Sequence, residues 1–474
     1  MTPTGRSSLT LVALVAAGVA LAGGNACSRT DDPLEHYAST GRAVSGSPSG
    51  GNQGDGATSP SPQAGKSSGT GGQGATAGQQ SNGAPDAGAA PEGGTDSGPS
   101  VPTDFGCGEA PVSTEPFTKR ALRSAAADCA LYHYCRFEGG ATVLESRVAD
   151  YVEAPSEQTR ADAQAAFAQA MSLWSVAELF QFGPAGSKAE SQGKDIYQGR
   201  GLRELIHAWP LTTRCRVEEQ VALQNYQEGM DESILITGRG LFGLDYLLHY
   251  AGEDTTCMAS SAAAKEWAKL SSEELTERKL DYAAALSSDV VAQVRAIRGA
   301  WAEDGENFRP LFVDATGYED SELKAMTVMA WSLVYLEREV KDWKLGVPAQ
   351  YTLSSPVTLP ESPYSGLGTE NLRANLRGFR ALFEGCGPEG EGLGFDDWLA
   401  EQDHTGLAND IVAAWQNAQT VADSYPRFSE ASAAELEALY RAIKGLTDLI
   451  KSDLFGDGSP LGLDLPQGVI GDTD

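Results

Sequence analysis

The amino-acid sequence predicts an all-α protein, with two helical-bundle lobes that follow a disordered N-terminal tether. From residue 105 onward, long segments place apolar residues at the 3.6-residue spacing of an amphipathic helix. Alternating strand patterns joined by Asn-Gly or Asp-Gly turns are missing from the same region. The 54 glycines and 23 prolines exceed average usage, and they are most concentrated before that region.

The charge balance excludes one large class of functions. Acidic residues outnumber basic residues by 65 to 35, which gives a formal net charge of −30. Such a surface repels the phosphate backbone of nucleic acids, so we expect no nucleic-acid partner. Cationic partners, metal ions among them, remain compatible with this charge.

Residues 1–26 have the layout of a secretory signal peptide. Arg6 precedes an apolar run over residues 9–22, which is too short to span a bilayer. Cys27 follows Ala26, as the lipidated cysteine follows a small residue in bacterial lipoproteins. We therefore predict export to the cell envelope and attachment to the lipid bilayer of the outer membrane through Cys27. Simple secretion after cleavage is the alternative.

Residues 27–104 are predicted to be a flexible tether. Between residues 41 and 100 there are 17 glycines and no aromatic residue. Such a composition cannot bury enough apolar surface to offset the entropy that is lost on ordering. A flexible chain of this length has a root-mean-square span of about 50 Å, which would hold the folded domain away from the membrane.

Six further cysteines form an even set, which in an exported chain predicts up to three disulfides. They are Cys107, Cys129, Cys135, Cys215, Cys257 and Cys386. A zinc cluster is the competing interpretation, although no pair has Cys-x-x-Cys spacing. Cys129 and Cys135 would lie about 9 Å apart along an unbroken helix, which is beyond disulfide reach. Either the helix breaks between them or each has a distant partner.

Eight segments are predicted to be helices from the spacing of their apolar residues. They are 157–181, 216–228, 231–250, 261–304, 322–345, 369–384, 406–423 and 433–453. In the first of them, Phe167, Met171 and Trp174 recur near helical spacing. Glycine and proline gather again at 304–318, so we divide 105–465 into lobes at about 105–304 and 319–465, followed by a C-terminal tail at 466–474.

Five blocks of sequence, in order, resemble the imelysin family of exported helical proteins. They are WSVAELFQFGP at 174–184, LRELIHAWPLTTRCRVEEQV at 202–221, GRGLFGLDYLLHY at 238–250, KDWKLGVPAQ at 341–350 and LPESPYSGLGTENLRANLRGFRALFEG at 359–385. The resemblance extends over nearly all of residues 115–465. It implies a two-lobed helical fold with a functional site in the cleft between the lobes, and a link to iron and haem acquisition. One member of the family was described as an insulin-cleaving peptidase.

The metal motif proposed for the family, Gly-x-His-x-x-Glu, is altered in this chain. Aligned on the third block, its three defined positions hold Gly240, Phe242 and Asp245. Phenylalanine cannot ligate a metal, and zinc catalysis needs about three protein ligands and an open position for water. The His-Glu-x-x-His pattern is missing as well. We therefore predict no catalytic residues and a protein that is not an enzyme, with metallopeptidase activity as the alternative.

Neighbouring residues offer a replacement set of metal ligands. Asp245 and His249 are four residues apart and share one helix face, and Glu204 and His207 are three apart. Together they would form an oxygen- and imidazole-rich site suited to iron or another divalent metal such as zinc. The competing interpretation is that both are ordinary surface pairs.

The candidate ligand contacts are Trp209, Arg214, Phe242, Asp245, Glu361 and Ser365. Trp209 precedes a proline and either touches a ligand or packs the end of a helix. Arg214 pairs either with a substrate or with nearby carboxylates. Glu361 and Ser365 lie in a loop bracketed by prolines, where ligand contacts are common, and helix capping is their alternative role.

These observations predict an imelysin-like binding protein of the cell envelope that captures iron, haem or a related ligand in the cleft. The alternatives are a metal-dependent peptidase of imelysin type and a surface adhesion or scaffold module. Metal binding without turnover would separate the first from the second. A dry, aromatic-filled cleft around Phe242 would favour the third. The sequence leaves the ligand and any protein partner open.

Overall fold

The computed structural model of the chain describes residues 103–186, 190–191, 194–195, 200–230, 234–318, 321–346, 349, 351, 360–425, 427–455 and 458–466. The predicted signal peptide, Cys27 with its lipid anchor and almost all of the tether lie outside the described residues. So does the C-terminal tail after residue 466. The described part is all-α, as predicted.

The described residues contain thirteen α-helices, numbered here in chain order. They are α1 Lys119–Glu153, α2 Glu157–Ala177, α3 Leu202–Ile206, α4 Arg214–Leu223, α5 Gly240–His249, α6 Ala262–Trp267, α7 Ser272–Trp301, α8 Phe308–Val313, α9 Glu322–Ala330, α10 Gly368–Phe383, α11 Phe395–Glu401, α12 Thr405–Asp423 and α13 Ala433–Asp448. Short 3₁₀ helices lie at Gly183–Ala185, Asn225–Glu228, Ile236–Gly238, Thr316–Tyr318 and Trp331–Val334, and π-helices at Leu336–Leu345 and Leu449–Leu454. Two short antiparallel strands, β1 Glu190–Ser191 and β2 Lys194–Asp195, pair with each other.

The two longest helices of the first half begin with side-chain caps. Thr118 Oγ1 accepts a hydrogen bond from the N–H of Ala121 (2.9 Å) at the start of α1, and Ser156 forms a capping box with Thr159 at the start of α2. Many alanines on both helices let them pack closely against each other, while α7 and α10 pack on the same pair. This packing sets the core on which the candidate site is built.

The structure differs from the sequence prediction in where some helices begin and end. The segment predicted over 261–304 is two helices, because Ser271 and Glu274 cap each other and start α7 anew. The segment predicted over 322–345 is helical throughout, but it changes from α9 to a 3₁₀ helix and then to the π-helix Leu336–Leu345. Such π-helical stretches occur frequently at functional sites.

Three disulfides confirm the prediction from the even set of cysteines. They join Cys107 to Cys135, Cys129 to Cys386 and Cys215 to Cys257. Helix α1 continues unbroken past residues 129 and 135, so each of its two cysteines has a distant partner. The second bridge spans 257 residues and fixes α1 beside the end of α10.

The predicted boundary between the lobes contains a short packed helix. Helix α8 lies within residues 304–318 and buries Phe308 and Phe312 against neighbouring aromatic rings. The division into two lobes stays a prediction. In the part of the chain that the structure describes, every helix is too short or too polar to cross a membrane.

Candidate functional site

The altered motif lies on α5, a helix whose residues are nearly all buried. Phe242 and Asp245 are each 1% exposed. Gly240 begins the helix with a φ of 66°, and a Cβ atom at this position would collide with the backbone oxygen of Ile206. Glycine is required here because α5 starts in close contact with the end of α3.

The Asp245 carboxylate holds a loop in place. Its oxygens accept hydrogen bonds from the backbone N–H groups of Tyr364 (3.1 Å) and Ser365 (2.9 Å). His249 Nδ1 lies 3.6 Å from the same carboxylate. Burial raises the pKa of Asp245 although the hydrogen bond from Ser365 and the nearby His249 oppose this rise. Asp245 and His249 therefore lie close together, but the carboxylate of Asp245 is already hydrogen-bonded to the loop.

Phe242 lies in an aromatic cluster. Its ring centroid is 6.2 Å from that of Tyr364, and Tyr364 in turn lies 5.2 Å from Tyr246 and 5.7 Å from Tyr250. The rings meet edge to face, a favourable arrangement for aromatic pairs. With Phe242 buried among rings and Asp245 occupied by the loop, the residues at the motif do not fit a divalent metal.

A second group of buried polar side chains surrounds the ammonium group of Lys344. Its Nζ lies 2.6 Å from Glu178 Oε1, 2.9 Å from Glu361 Oε1 and 2.9 Å from Asn375 Oδ1. These four side chains are at most 1% exposed. A lysine ammonium has three N–H donors, and each has an oxygen within hydrogen-bond distance.

His207 and Arg203 complete the group. His207 Nε2 lies 3.2 Å from Glu361 Oε1. Arg203 places one guanidinium nitrogen 3.7 Å from Glu178 Oε2 and its centre 5.7 Å from the ring of Tyr335. We refer to Glu178, Arg203, His207, Lys344, Glu361 and Asn375 as the Lys344 cluster.

Most members of the Lys344 cluster lie where a helix ends or where the helix type changes. Glu178 is the C-cap of α2, and His207 is the C-cap of α3. Lys344 lies in the last turn of the π-helix. Glu361 lies in the loop whose far end is bound by Asp245. The sites at residues 245 and 344 are therefore joined through one loop.

The charges of the cluster are balanced. Burial would raise the pKa of Glu361, but the Lys344 ammonium and the hydrogen bond from His207 outweigh it and hold the pKa at about 2. Burial would lower the pKa of Lys344, and the carboxylates of Glu178 and Glu361 reverse this and raise it. Two carboxylates thus face two cations, Lys344 and Arg203.

Four atoms of the cluster are buried without a hydrogen-bond partner. They are Glu178 Oε2, Arg203 Nε, His207 Nδ1 and Glu361 Oε2. Buried polar atoms are nearly always hydrogen-bonded, and leaving one unpaired costs about 1–3 kcal/mol. The cluster reaches solvent at Arg203, whose side chain is 14% exposed. A ligand that brings hydrogen-bond donors would satisfy atoms that the protein leaves unpaired.

The four predicted metal ligands do not gather in one group. His207 contacts Glu361, while Asp245 and His249 contact each other. Glu204 Oε1 lies 3.9 Å from a guanidinium nitrogen of Arg203. The structure therefore divides the predicted set between two places.

One group of three potential ligands does lie within reach of a single ion in the described residues. It consists of Cys129, His133 and Cys386. Because Cys129 and Cys386 are joined in a disulfide, their sulfur atoms are not thiolates and do not act as ligands.

Two predicted ligand contacts have local partners. Trp209 is 6% exposed and its ring packs 6.5 Å from that of Trp343. Arg214 Nε lies 2.5 Å from Glu218 Oε1, and its guanidinium stacks 4.2 Å from the ring centre of Tyr250. These contacts place Arg214 in the packing around α4 and α5, and Trp209 in the packing on the π-helix Leu336–Leu345.

A cavity of about 80 Å³ opens beside α4. It is lined by Arg216, Glu219, Gln220, Asn225, Leu235 and Gly238, none of which belongs to the Lys344 cluster. Ligand pockets usually have volumes of about 300–1,000 Å³. This cavity is therefore too small to enclose a haem.

Sequence reasoning missed four residues of the cluster as ligand contacts: Glu178, Arg203, Lys344 and Asn375. A signal was present only for Glu178, which is a single charge within an otherwise apolar helix end, where charges are rarely buried without partners. Spacing along the chain could not pair them, because Glu178 and Asn375 are 197 residues apart.

Comparisons with known proteins match the chain to one family model and to solved structures with the same fold. The family model described as Imelysin matches residues 130–452. An imelysin-like protein from Psychrobacter arcticum 273-4 is 15% identical, with a TM-score of 0.55, over 74% of this chain and 98% of that one. A protein from Parabacteroides distasonis ATCC 8503, named an iron-regulated protein A precursor, is 15% identical, with a TM-score of 0.51, over 72% and 96%. At 15% sequence identity, these two structures show that the chain shares their fold. No curated protein matches the chain.

Proposed function

The chain belongs to the imelysin family, and from this premise we propose that it is an exported, non-enzymatic binding protein for an iron-bearing ligand that contacts the Lys344 cluster. The name of the Parabacteroides relative supports both parts of this proposal, since that protein is named as a precursor and as iron-regulated. The altered motif supports a role without catalysis.

The observation that carries the proposal is the set of unpaired buried acceptors at Glu178, His207 and Glu361. Fully satisfied polar networks stabilise a fold, whereas partly satisfied ones are costly. Three separate segments bring these atoms together, and Arg203 connects them to solvent. A bound ligand that ligates its iron through His207 Nδ1, or that donates hydrogen bonds to the carboxylate oxygens, would recover the cost of leaving these atoms unpaired.

Catalysis is not part of the proposal because the motif lacks the ligands for it. Phe242 replaces the histidine, and both oxygens of Asp245 accept backbone hydrogen bonds. A peptidase site would need about three metal ligands and a position for water. Metal-dependent hydrolysis of a peptide by the wild-type protein, abolished by Asp245→Ala, would contradict this part.

The membrane attachment is proposed from the sequence of the N-terminus. A lipid on Cys27 and the glycine-rich tether would hold the binding domain at the outer membrane while leaving it free to reach its ligand. Wild-type protein should require detergent for extraction, and Cys27→Ser should be soluble in the periplasm or the medium. Release of the wild type without detergent would exclude the lipid anchor.

Ligand binding is tested by titrating the full chain with haem and with Fe²⁺ and measuring heat. Wild-type protein should bind haem, and Glu361→Gln should raise the dissociation constant about tenfold, because Glu361 Oε1 holds His207 through its Nε2 and such a partner of a metal-binding histidine is worth about 10–100-fold in affinity. Glu337→Gln is the matched control, since Glu337 is equally buried and paired with Lys341 outside the cluster. Equal weakening by both variants, or no binding of either probe, would contradict the proposal.

A scaffold or adhesion module is the second candidate function. The observation that favours it is the aromatic cluster of Phe242, Tyr246, Tyr250 and Tyr364, which fills the motif position. In that case haem and iron should leave the thermal unfolding of the full chain unchanged, while immobilised protein should still retain a cell-surface partner. A rise in melting temperature with haem would favour the binding protein.

A further inference from the structure

We propose that the Lys344 ammonium is the built-in cation of the Lys344 cluster, which takes the place of a metal ion and excludes free divalent cations from it. This inference extends the proposed function, and it rests on that function only for the identity of the ligand. If iron is bound here, it arrives inside a complex such as haem and not as a bare ion.

The surroundings of Lys344 Nζ are those of a small coordination site. Its three near neighbours are the oxygens of Glu178, Glu361 and Asn375, at 2.6, 2.9 and 2.9 Å. They are two carboxylate oxygens and an amide oxygen, the donors that hard divalent cations prefer. Because the three N–H groups of the ammonium use all three oxygens, a metal ion would have to displace the lysine.

Displacement is opposed by the packing around the side chain. Lys344 is fully buried, and its Nζ also lies 5.4 Å from the centre of the Tyr335 ring, where a cation is attracted to the ring face. The described contacts offer the ammonium group no second site in which its charge would be paired. Moving it away would leave a buried charge without compensation, which is strongly destabilising.

The charge balance leads to the same conclusion. Glu178 and Glu361 contribute two negative charges, and Lys344 and Arg203 contribute two positive ones. Adding a divalent cation to this set would leave an uncompensated positive charge in a buried place, even when Glu204, which lies 3.9 Å from Arg203, is counted. An uncompensated buried charge is strongly destabilising. The cluster therefore has no electrostatic demand for a metal while Lys344 is present.

One helical turn away, Lys341 provides a matched control. Its Nζ lies 3.1 Å from Glu337 Oε1 and is as buried as that of Lys344. The same Glu337 oxygen also lies 2.6 Å from Lys451. Removing Lys341 therefore leaves Glu337 with a second cation, whereas removing Lys344 leaves Glu361 without its closest cation.

The test is chemical rescue of Lys344→Ala, followed by thermal unfolding of the full chain. The variant should unfold several degrees below wild type, and Mn²⁺ or methylammonium should restore a large part of the loss by entering the space of the ammonium group. Lys341→Ala should show no rescue by either cation. Wild-type protein should be unaffected by both.

Binding of Mn²⁺ is followed independently by loss of the free-ion signal in electron paramagnetic resonance. We expect stoichiometric binding to Lys344→Ala and none to wild type. The double variant Lys344→Ala/Glu178→Gln, which lowers the charge imbalance and keeps the measurement available if the single variant does not fold, should bind more weakly than the single variant but more tightly than wild type.

Tight Mn²⁺ binding to wild type that Glu361→Gln abolishes would overturn the inference, as would variants lacking Lys344 that neither bind Mn²⁺ nor respond to methylammonium. These outcomes differ from failure of the proposed function, which is the absence of haem binding to wild type. Haem binding with no response of the Lys344 variants would retain the function and remove the inference.

Discussion

Two buried ionic regions of this protein differ in how completely their polar atoms are paired. Arg239 and Asp289 form a double hydrogen bond of 3.0 and 2.6 Å, and Gln293 donates a further one to Asp289. The side chains of both residues are 3% exposed, and neither has a buried polar atom without a partner. The Lys344 cluster is also largely buried, but four of its polar atoms have no hydrogen-bond partner.

The difference separates a structural role from a binding role. The Arg239 pair joins the start of α5 to the middle of α7 and needs nothing further, so it resembles the fully satisfied networks that specify one packing. The Lys344 cluster leaves unpaired atoms that cost stability. Natural proteins accept such costs mainly where function requires them, which is why we assign ligand binding to the second region.

The largest expected effect comes from breaking the fully paired region. Asp289→Ala leaves the Arg239 charge buried without its partner and should reduce the free energy of unfolding by about 3–5 kcal/mol. Binding of haem should be unchanged once the fold is intact. Urea unfolding and titration calorimetry measure the two quantities.

A double variant serves as the control for this prediction. Arg239→Met combined with Asp289→Leu removes both charges and should be closer to wild type in stability, because the desolvation cost disappears with the interaction. A double variant less stable than Asp289→Ala would mean that the Arg239–Asp289 pair stabilises the fold by more than the mutual neutralisation of its charges.

A smaller effect is expected from restoring the motif on α5. Phe242→His with Asp245→Glu recreates a histidine and a glutamate three residues apart and should bind Zn²⁺ or Fe²⁺ measurably better than wild type. Truncating a buried phenylalanine to alanine costs about 3–5 kcal/mol, and histidine keeps a ring, so the loss of stability should be smaller. Calorimetry of metal binding checks the gain.

The opposite result would change the role that we assign to the residues of α5. A tight one-to-one metal site in wild type, abolished by Asp245→Ala, would show that Asp245 and His249 ligate a metal despite the backbone hydrogen bonds of the loop. The aromatic cluster around Phe242 would then be a wall of that site.

The smallest expected effect is in the acid range and sharpens the role of Glu361. Its pKa is about 2 in the folded protein and about 4.3 in an unfolded chain. Since the folded value is the lower one, ionised Glu361 stabilises the fold above about pH 4.3, and this contribution is lost as the pH falls toward 2. Glu361→Gln should therefore lose less stability than wild type between about pH 5 and pH 2. Equal losses in urea unfolding would contradict the assignment.

The fold was largely predictable from local pattern, and the site only in part. Helices α2, α10, α12 and α13 begin within one residue of their predicted starts, because apolar spacing and caps act over a few residues. Glu361 was predicted as a contact from its loop, and it is indeed a member of the cluster. Lys344 was not, because a single lysine near a helix end is usually exposed.

The sequence by itself determined the helical class, the even set of cysteines and the loss of the family's metal histidine at Phe242. Each of these is written in residue type or in spacing over one or two helical turns. Tertiary structure alone decided which cysteines pair, that the Asp245 carboxylate binds a loop, and that Lys344 meets Glu178, Glu361 and Asn375. Those contacts join residues up to 257 positions apart. The energy of the ionic ones exists only when burial removes water from charges that in the unfolded chain are separately hydrated.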